Sequence, residues 1–218
     1  MSEHVVLLHG LWMRGFSMLA LRARLQREGF EVHGFEYASV MSQPARTLVR
    51  LQGAIDALVA GGDDAACVHL VGHSLGGIFA LQCTSEAAGL PPGRIICLGT
   101  PLTGSAAARA FADWPVGQML FGHSAADLVD GVPPWRGARE VGVVAGSMPH
   151  GLGSHLAHFE GEHDGTVAVA ETRLPGITDH CVVAASHSGL LFSSEAAAQT
   201  VAFLRHGRFE KQATPVMQ

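Results

Sequence analysis

The sequence predicts an α/β fold of about six mostly parallel strands with flanking helices, and three observations lead there. Short apolar runs rich in valine, isoleucine and leucine recur along the chain, each reading as a strand buried on both faces. Between them lie longer stretches with apolar residues at helical spacing, and that alternation implies right-handed crossovers between parallel neighbours. Composition agrees: 48% hydrophobic and 15% charged residues over 218 positions suit a globule with a sizeable core and argue against disorder.

The elements follow in order. His4-Val5-Val6-Leu7-Leu8 is the first strand, ended by His9-Gly10. Residues 16–28 set Phe16, Leu19, Ala20, Ala23 and Leu25 against Arg22, Arg24 and Arg27, an amphipathic helix that Gly29 stops. Residues 31–37 read as the second strand. Pro44 stands at the start of a helix that carries Leu48, Leu51, Ile55, Leu58 and Val59 and ends at Gly61-Gly62. Residues 67–71 are the third strand, 75–88 the helix behind it and 94–98 the fourth strand. Then the rhythm breaks. Gly99 to Ser105 is turn-rich, and positions 105–137 hold short helical pieces with Phe111, Trp114, Met119, Leu120, Phe121 and Trp135, expected as a small cap insertion. Residues 140–145 and 181–185 are the fifth and sixth strands, and Ser193 or Ser194 caps a final helix ending at His206. Positions 1–208 are expected to form one domain and 209–218 a flexible tail.

Charge and cysteine content narrow the function classes. The net charge is −5, with no basic stripe to track a phosphate backbone, so no nucleic-acid partner is expected. Lys211 is the sole lysine and lies in the expected tail, which disfavours Schiff-base chemistry or a phosphate-binding lysine loop. No apolar run approaches the ~18 residues of a membrane span, and no charged leader precedes the first strand, so a cytoplasmic location is expected. Cys67, Cys83, Cys97 and Cys181 are scattered without metal-type pairing and read as free thiols.

The chemistry centres on Val71-Gly72-His73-Ser74-Leu75-Gly76-Gly77. A nucleophile elbow needs this order: a buried strand delivers the serine, a sharp turn holds it, and a helix leaves behind it. A serine hydroxyl is a poor nucleophile at neutral pH, so Ser74 requires a histidine base, itself oriented by a carboxylate. His187 follows the last strand and leaves the same carboxyl edge of the sheet that presents Ser74, which makes it the candidate base. The acid is expected on a loop between the fifth strand and His187. Asp164, followed by Gly165-Thr166-Val167, is the candidate there, with Glu160, Glu162 and Asp179 as competitors. The oxyanion of a tetrahedral intermediate needs two preorganised donors, and the amides of Leu75 and Leu11 are the candidates.

Taken together, these pieces resemble the α/β-hydrolase superfamily, specifically small bacterial lipases and esterases. The resemblance rests on His9-Gly10, Gly72-His73-Ser74-Leu75-Gly76-Gly77, the Gly99-Thr100-Pro101 to Gly104-Ser105 loop, Asp164-Gly165-Thr166-Val167 and His187-Ser188-Gly189-Leu190-Leu191. It implies the α/β-hydrolase fold and a serine esterase with Ser74, Asp164 and His187 as triad and Leu11 and Leu75 as oxyanion donors. One departure is Leu102, where loops of the Gly-Thr-Pro type often carry histidine or asparagine. Trp12, Met13, Leu102 and Phe121 are expected at the substrate-binding mouth, which favours a small-molecule ester with an apolar acyl group. No cofactor is expected, and the oligomeric state is open.

Other readings share parts of this pattern. Acyl transfer or thioester hydrolysis uses the same acyl-enzyme, and a non-catalytic hydrolase-fold binding protein would be expected to lack a triad member. His150, His155, His158, Glu160, Glu162, His163 and Asp164 contain metal-ligating types, but their spacing matches no compact helical zinc motif, so no metal is expected and the loop reads as solvated.

Overall fold

Strand-forming runs of β-branched and leucine residues assemble into one sheet. In the computed structural model, which describes residues 3–60, 66–86, 89–112, 121–150, 159 and 161–210, the strands are β1 (Glu3–Leu8), β2 (Glu31–Phe35), β3 (Cys67–His73), β4 (Ile95–Leu98), β5 (Val141–Gly146) and β6 (Asp179–Val183). Their order across the sheet is β2-β1-β3-β4-β5-β6, and every neighbouring pair is parallel. β1 is buried from His4 to Leu8 because both of its faces are covered. Val6 and Leu8 point to one core, Val5 and Leu7 to the other.

On the first face lie α2 (Pro44–Val59), through Leu51 and Ile55, and α3 (Leu75–Glu86), through Leu75, Ile78 and Phe79. On the second lie α1 (Leu19–Arg27), through Leu21 and Leu25, and the long C-terminal helix Ser194–His206, through Ala196, Phe203 and Leu204. Full burial of Phe203 stabilises the fold by about 1.5–3 kcal/mol. Gly142 makes room for it, since a Cβ there would come within 2.7 Å of the ring. Ser193 caps the C-terminal helix by accepting the Ala196 N–H at 3.1 Å, and Gly207, at φ 68°, closes it.

Departures from the sequence expectation are local. The expected first helix begins as a 3-10 turn (Gly15–Met18), leaving Phe16 exposed, and the sixth strand starts two residues early, at Asp179. In the cap, α4 (Ala106–Ala112) and α5 (Ala125–Asp130) are short helices, while positions 113–120 lie outside the described residues. The tail does not start at Phe209. That residue is buried against Phe203, its N–H donates to Asp179 Oδ2 at 2.8 Å, and the Glu210 N–H donates to Gln199 Oε1 at 2.9 Å. Residues 211–218 lie outside the described residues. Among the described residues no helix is long and apolar enough to cross a membrane.

Candidate active site

β3 ends at His73 and α3 begins at Leu75, so Ser74 occupies the hinge between them with φ 54°. A non-glycine residue in this left-handed region carries about 1–3 kcal/mol of backbone strain, a cost the surroundings must offset. The Ser74 N–H donates to the Leu98 carbonyl at 2.8 Å, and the Gly77 N–H donates back to the Ser74 carbonyl at 3.0 Å. Strand and helix approach too closely for side chains beside the serine. A Cβ on Gly72 would lie 2.3 Å from the Gly77 nitrogen, and one on Gly76 would lie 2.4 Å from the Leu8 carbonyl oxygen.

Two further residues come together at the carboxyl edge of the sheet. His187 follows β6, and its Nδ1–H donates to Asp164 Oδ2 at 2.7 Å, while its main-chain N–H donates to the Asp164 carbonyl at 2.9 Å. The imidazole is thereby fixed with its proton on Nδ1, leaving Nε2 as the basic nitrogen. Asp164 is 1% exposed, and its second oxygen accepts the Thr166 and Val167 amides at 2.9 and 2.7 Å, an Asx-type turn. Burial alone would raise this carboxyl group. The His187 charge and hydrogen bond, with the two amides, outweigh burial and hold it below the ordinary carboxylate range. Asp179, a competitor in sequence, instead opens β6 at the far edge.

The loop after β1 closes over the serine. A Cβ on Gly10 would stand 3.1 Å from the Ser74 Cβ, so the backbone beside Leu11 is at the Ser74 side chain. Trp12 adopts φ 60°, with its N–H donating to Ser39 Oγ at 3.0 Å. The Tyr37 hydroxyl donates to the His9 carbonyl, and the two rings stack with centroids 4.3 Å apart. Leu75 opens α3, and its N–H is among the first-turn donors without an intrahelical partner.

Ser74 and His187 both face a cavity of about 480 Å³. Leu11, Trp12, Met13 and Phe121 line it, as the sequence leads one to expect. Leu102 does not: it is fully buried in the core, and the neighbouring Pro101 takes the place on the wall. Ala107 and Ala108 of α4, Leu128 of α5, and Thr166 and Val167 also line the cavity and escaped sequence reading. Small alanines in a short helix carry no sequence signal that distinguishes lining from packing. Among the described residues no aspartate, glutamate, lysine or arginine lines the space. His155, His158 and Glu160 of the histidine-rich loop lie outside the described residues, while His163 Nδ1 accepts the Gly165 N–H at 3.2 Å.

The sequence model described as the alpha/beta hydrolase family matches residues 5–203. The chain belongs to the α/β-hydrolase family. Solved structures similar to this hydrolase include the mature form of the Bacillus licheniformis lipase BlEst2, with TM-score 0.71 at 19% identity over 92% of this chain and 90% of that one. The metagenomic carboxyl esterase MGS0156 is similar with TM-score 0.69 at 17% identity, covering 85% of this chain and 64% of that one. The Vlm2 thioesterase domain matches with TM-score 0.58 at 16% identity over 94% and 93%. At such identities these likenesses show the fold. Comparison with curated proteins finds no match.

Proposed function

We propose that this α/β hydrolase is a serine esterase that cleaves carboxylic esters with apolar acyl groups through an acyl-enzyme on Ser74. The observation that carries the reading is that the Asp164-bound imidazole of His187 and the left-handed Ser74 face one apolar cavity. His187 Nε2 takes the hydroxyl proton as Ser74 Oγ attacks the carbonyl, and Asp164 stabilises the imidazolium. The Leu11 and Leu75 amides hold the oxyanion, each contributing on the order of 3 kcal/mol to barrier lowering. The imidazolium then protonates the leaving alcohol, and water activated by the same nitrogen releases the acid. Among the described residues no aspartate, glutamate, lysine or arginine lines the cavity, which supports a neutral acyl chain over a charged one.

Thioester cleavage proceeds through the same acyl-enzyme, and the likeness to a thioesterase domain keeps it as the second reading. Turnover of a p-nitrophenyl ester series beside matched acyl thioesters tests the assignment. Esters are expected to turn over faster at every chain length, with activity abolished in Ser74→Ala. Preference for thioesters would move the assignment to the second reading, and equal activity of Ser74→Ala would overturn both.

A further inference from the structure

The opposite edge of the sheet carries a cluster that the chemistry above does not use. His4, near the start of β1, is the register partner of Glu31 at the start of β2, and His33 lies two residues along β2. Strand alternation sets all three on one face. His4 Nδ1 lies 3.2 Å from His33 Nε2 and 3.4 Å from Glu31 Oε2, and the three ligand atoms all fall within 4.8 Å of one another. His4 is buried, His33 half-buried and Glu31 exposed, so the cluster has a fixed inner side and an open outer one.

Hydrogen bonding explains this arrangement incompletely. His4 Nδ1 carries one proton or one lone pair, so it fully satisfies only one of its two close neighbours. A metal ion satisfies all three. Ligands bound to tetrahedral zinc at about 2.0–2.1 Å stand roughly 3.3–3.4 Å apart, and both separations at His4 fit that spacing. We propose that His4, Glu31 and His33 form a zinc site, with His4 Nδ1, His33 Nε2 and a Glu31 carboxylate oxygen as ligands and solvent in the fourth position. Each imidazole keeps its proton on the other nitrogen, and the exposed Glu31 side chain swings to complete the shell. The one carboxylate leaves the site with net positive charge, and the charge of Arg22 reaches His33, so affinity falls short of sites with two anionic ligands.

The ion ties β1 to β2, the edge strand of the sheet. Ser74 lies beyond the other end of the strands, on the order of 15–20 Å away, so the role is structural and independent of ester cleavage. None of its three ligands belongs to the histidine-rich segment at 150–164.

The test is calorimetric titration of zinc chloride into chelator-treated full-length protein, with the melting temperature followed in parallel. Wild type is expected to bind one equivalent with micromolar or tighter affinity and to melt at least about 2 °C higher with excess zinc. His33→Gln and Glu31→Gln, at accessible positions that leave the core intact, are expected to weaken that equivalent at least tenfold and abolish the rise. His163→Gln and Ser74→Ala are expected to bind as wild type does. Absence of wild-type binding, or unchanged binding in His33→Gln, would overturn the site.

Discussion

His73 donates its Nε2–H to the main-chain carbonyl of His187 at 2.9 Å, so the residue before the proposed nucleophile holds the proposed base in place. The rings sit 4.7 Å apart, and burial, followed by the neighbouring His187 charge, lowers His73 to about 3. A neutral His73 adds no positive charge against the imidazolium that His187 must become. His73→Phe keeps an aromatic ring but removes the donor from a part-buried carbonyl, which costs about 1–3 kcal/mol of stability. We expect kcat to fall at least about tenfold with little change in KM, and His73→Gln, which retains a donor, to recover part of the loss. Steady-state kinetics and urea unfolding of both variants check this.

Asp164→Asn separates orientation from folding. The asparagine oxygen can still accept the Thr166 and Val167 amides, so the turn survives, but its NH₂ faces the nitrogen that now donates to the carboxylate. His187 is then held in the wrong tautomer. The expected loss is about 10³–10⁴-fold in kcat with a nearly unchanged KM. Asp179→Asn is expected to leave ester turnover intact while lowering stability, because Asp179 fastens Phe209.

Acid should destabilise the protein before its carboxylates titrate. Burial lowers His69 from 6.5 to about 4 and His73 from 6.5 to about 3. The unfolded chain takes up these protons as pH falls below about 6.5 while the fold refuses them. Their contribution is therefore complete above 6.5 and lost progressively on acidification, at up to about 3 kcal/mol per pH unit for the two groups. Asp164, whose folded pKa is depressed, adds to the loss at lower pH. Urea midpoints measured at pH 7.5, 6 and 5 are expected to fall steadily, and His69→Gln is expected to reduce the slope. Equal midpoints at pH 7.5 and 5 would contradict the assignment of neutral buried imidazoles.

Under the proposed function the acyl chain lies against the α4 and α5 wall of the cavity. Ala107 lines the cavity wall, and Ala107→Phe fills part of its 480 Å³. Each methylene excluded from the wall forfeits about 0.8 kcal/mol of burial. The ratio of decanoate to acetate kcat/KM is expected to fall at least about tenfold in a p-nitrophenyl ester series, with acetate turnover maintained.

Much of this architecture was legible in the residues. The β-branched runs and the Ser193 cap mark strands and the last helix because local propensity and burial agree there. Ser74 and His187 are legible for a different reason, since elbow glycines and the end of a strand constrain where each side chain emerges. Asp164 was readable as the preferred carboxylate over Glu160, Glu162 and Asp179, because the Gly165-Thr166-Val167 turn after it can aim a carboxylate inward. The bonds from the Thr166 and Val167 amides that hold it are what the fold adds to that reading. Leu102 misleads because an apolar residue in a loop looks the same in sequence whether it faces core or cavity. Phe209 misleads likewise, its main-chain N–H being held by a distant strand residue, Asp179, and its ring packing on Phe203.

The most direct test of the central claim is fluorophosphonate labelling followed by intact mass and peptide mapping. The account predicts one adduct per chain, on Ser74, with labelling slowed at least about a hundredfold in His187→Ala and absent in Ser74→Ala. An unlabelled wild-type protein, or an adduct on any residue other than Ser74, would contradict it.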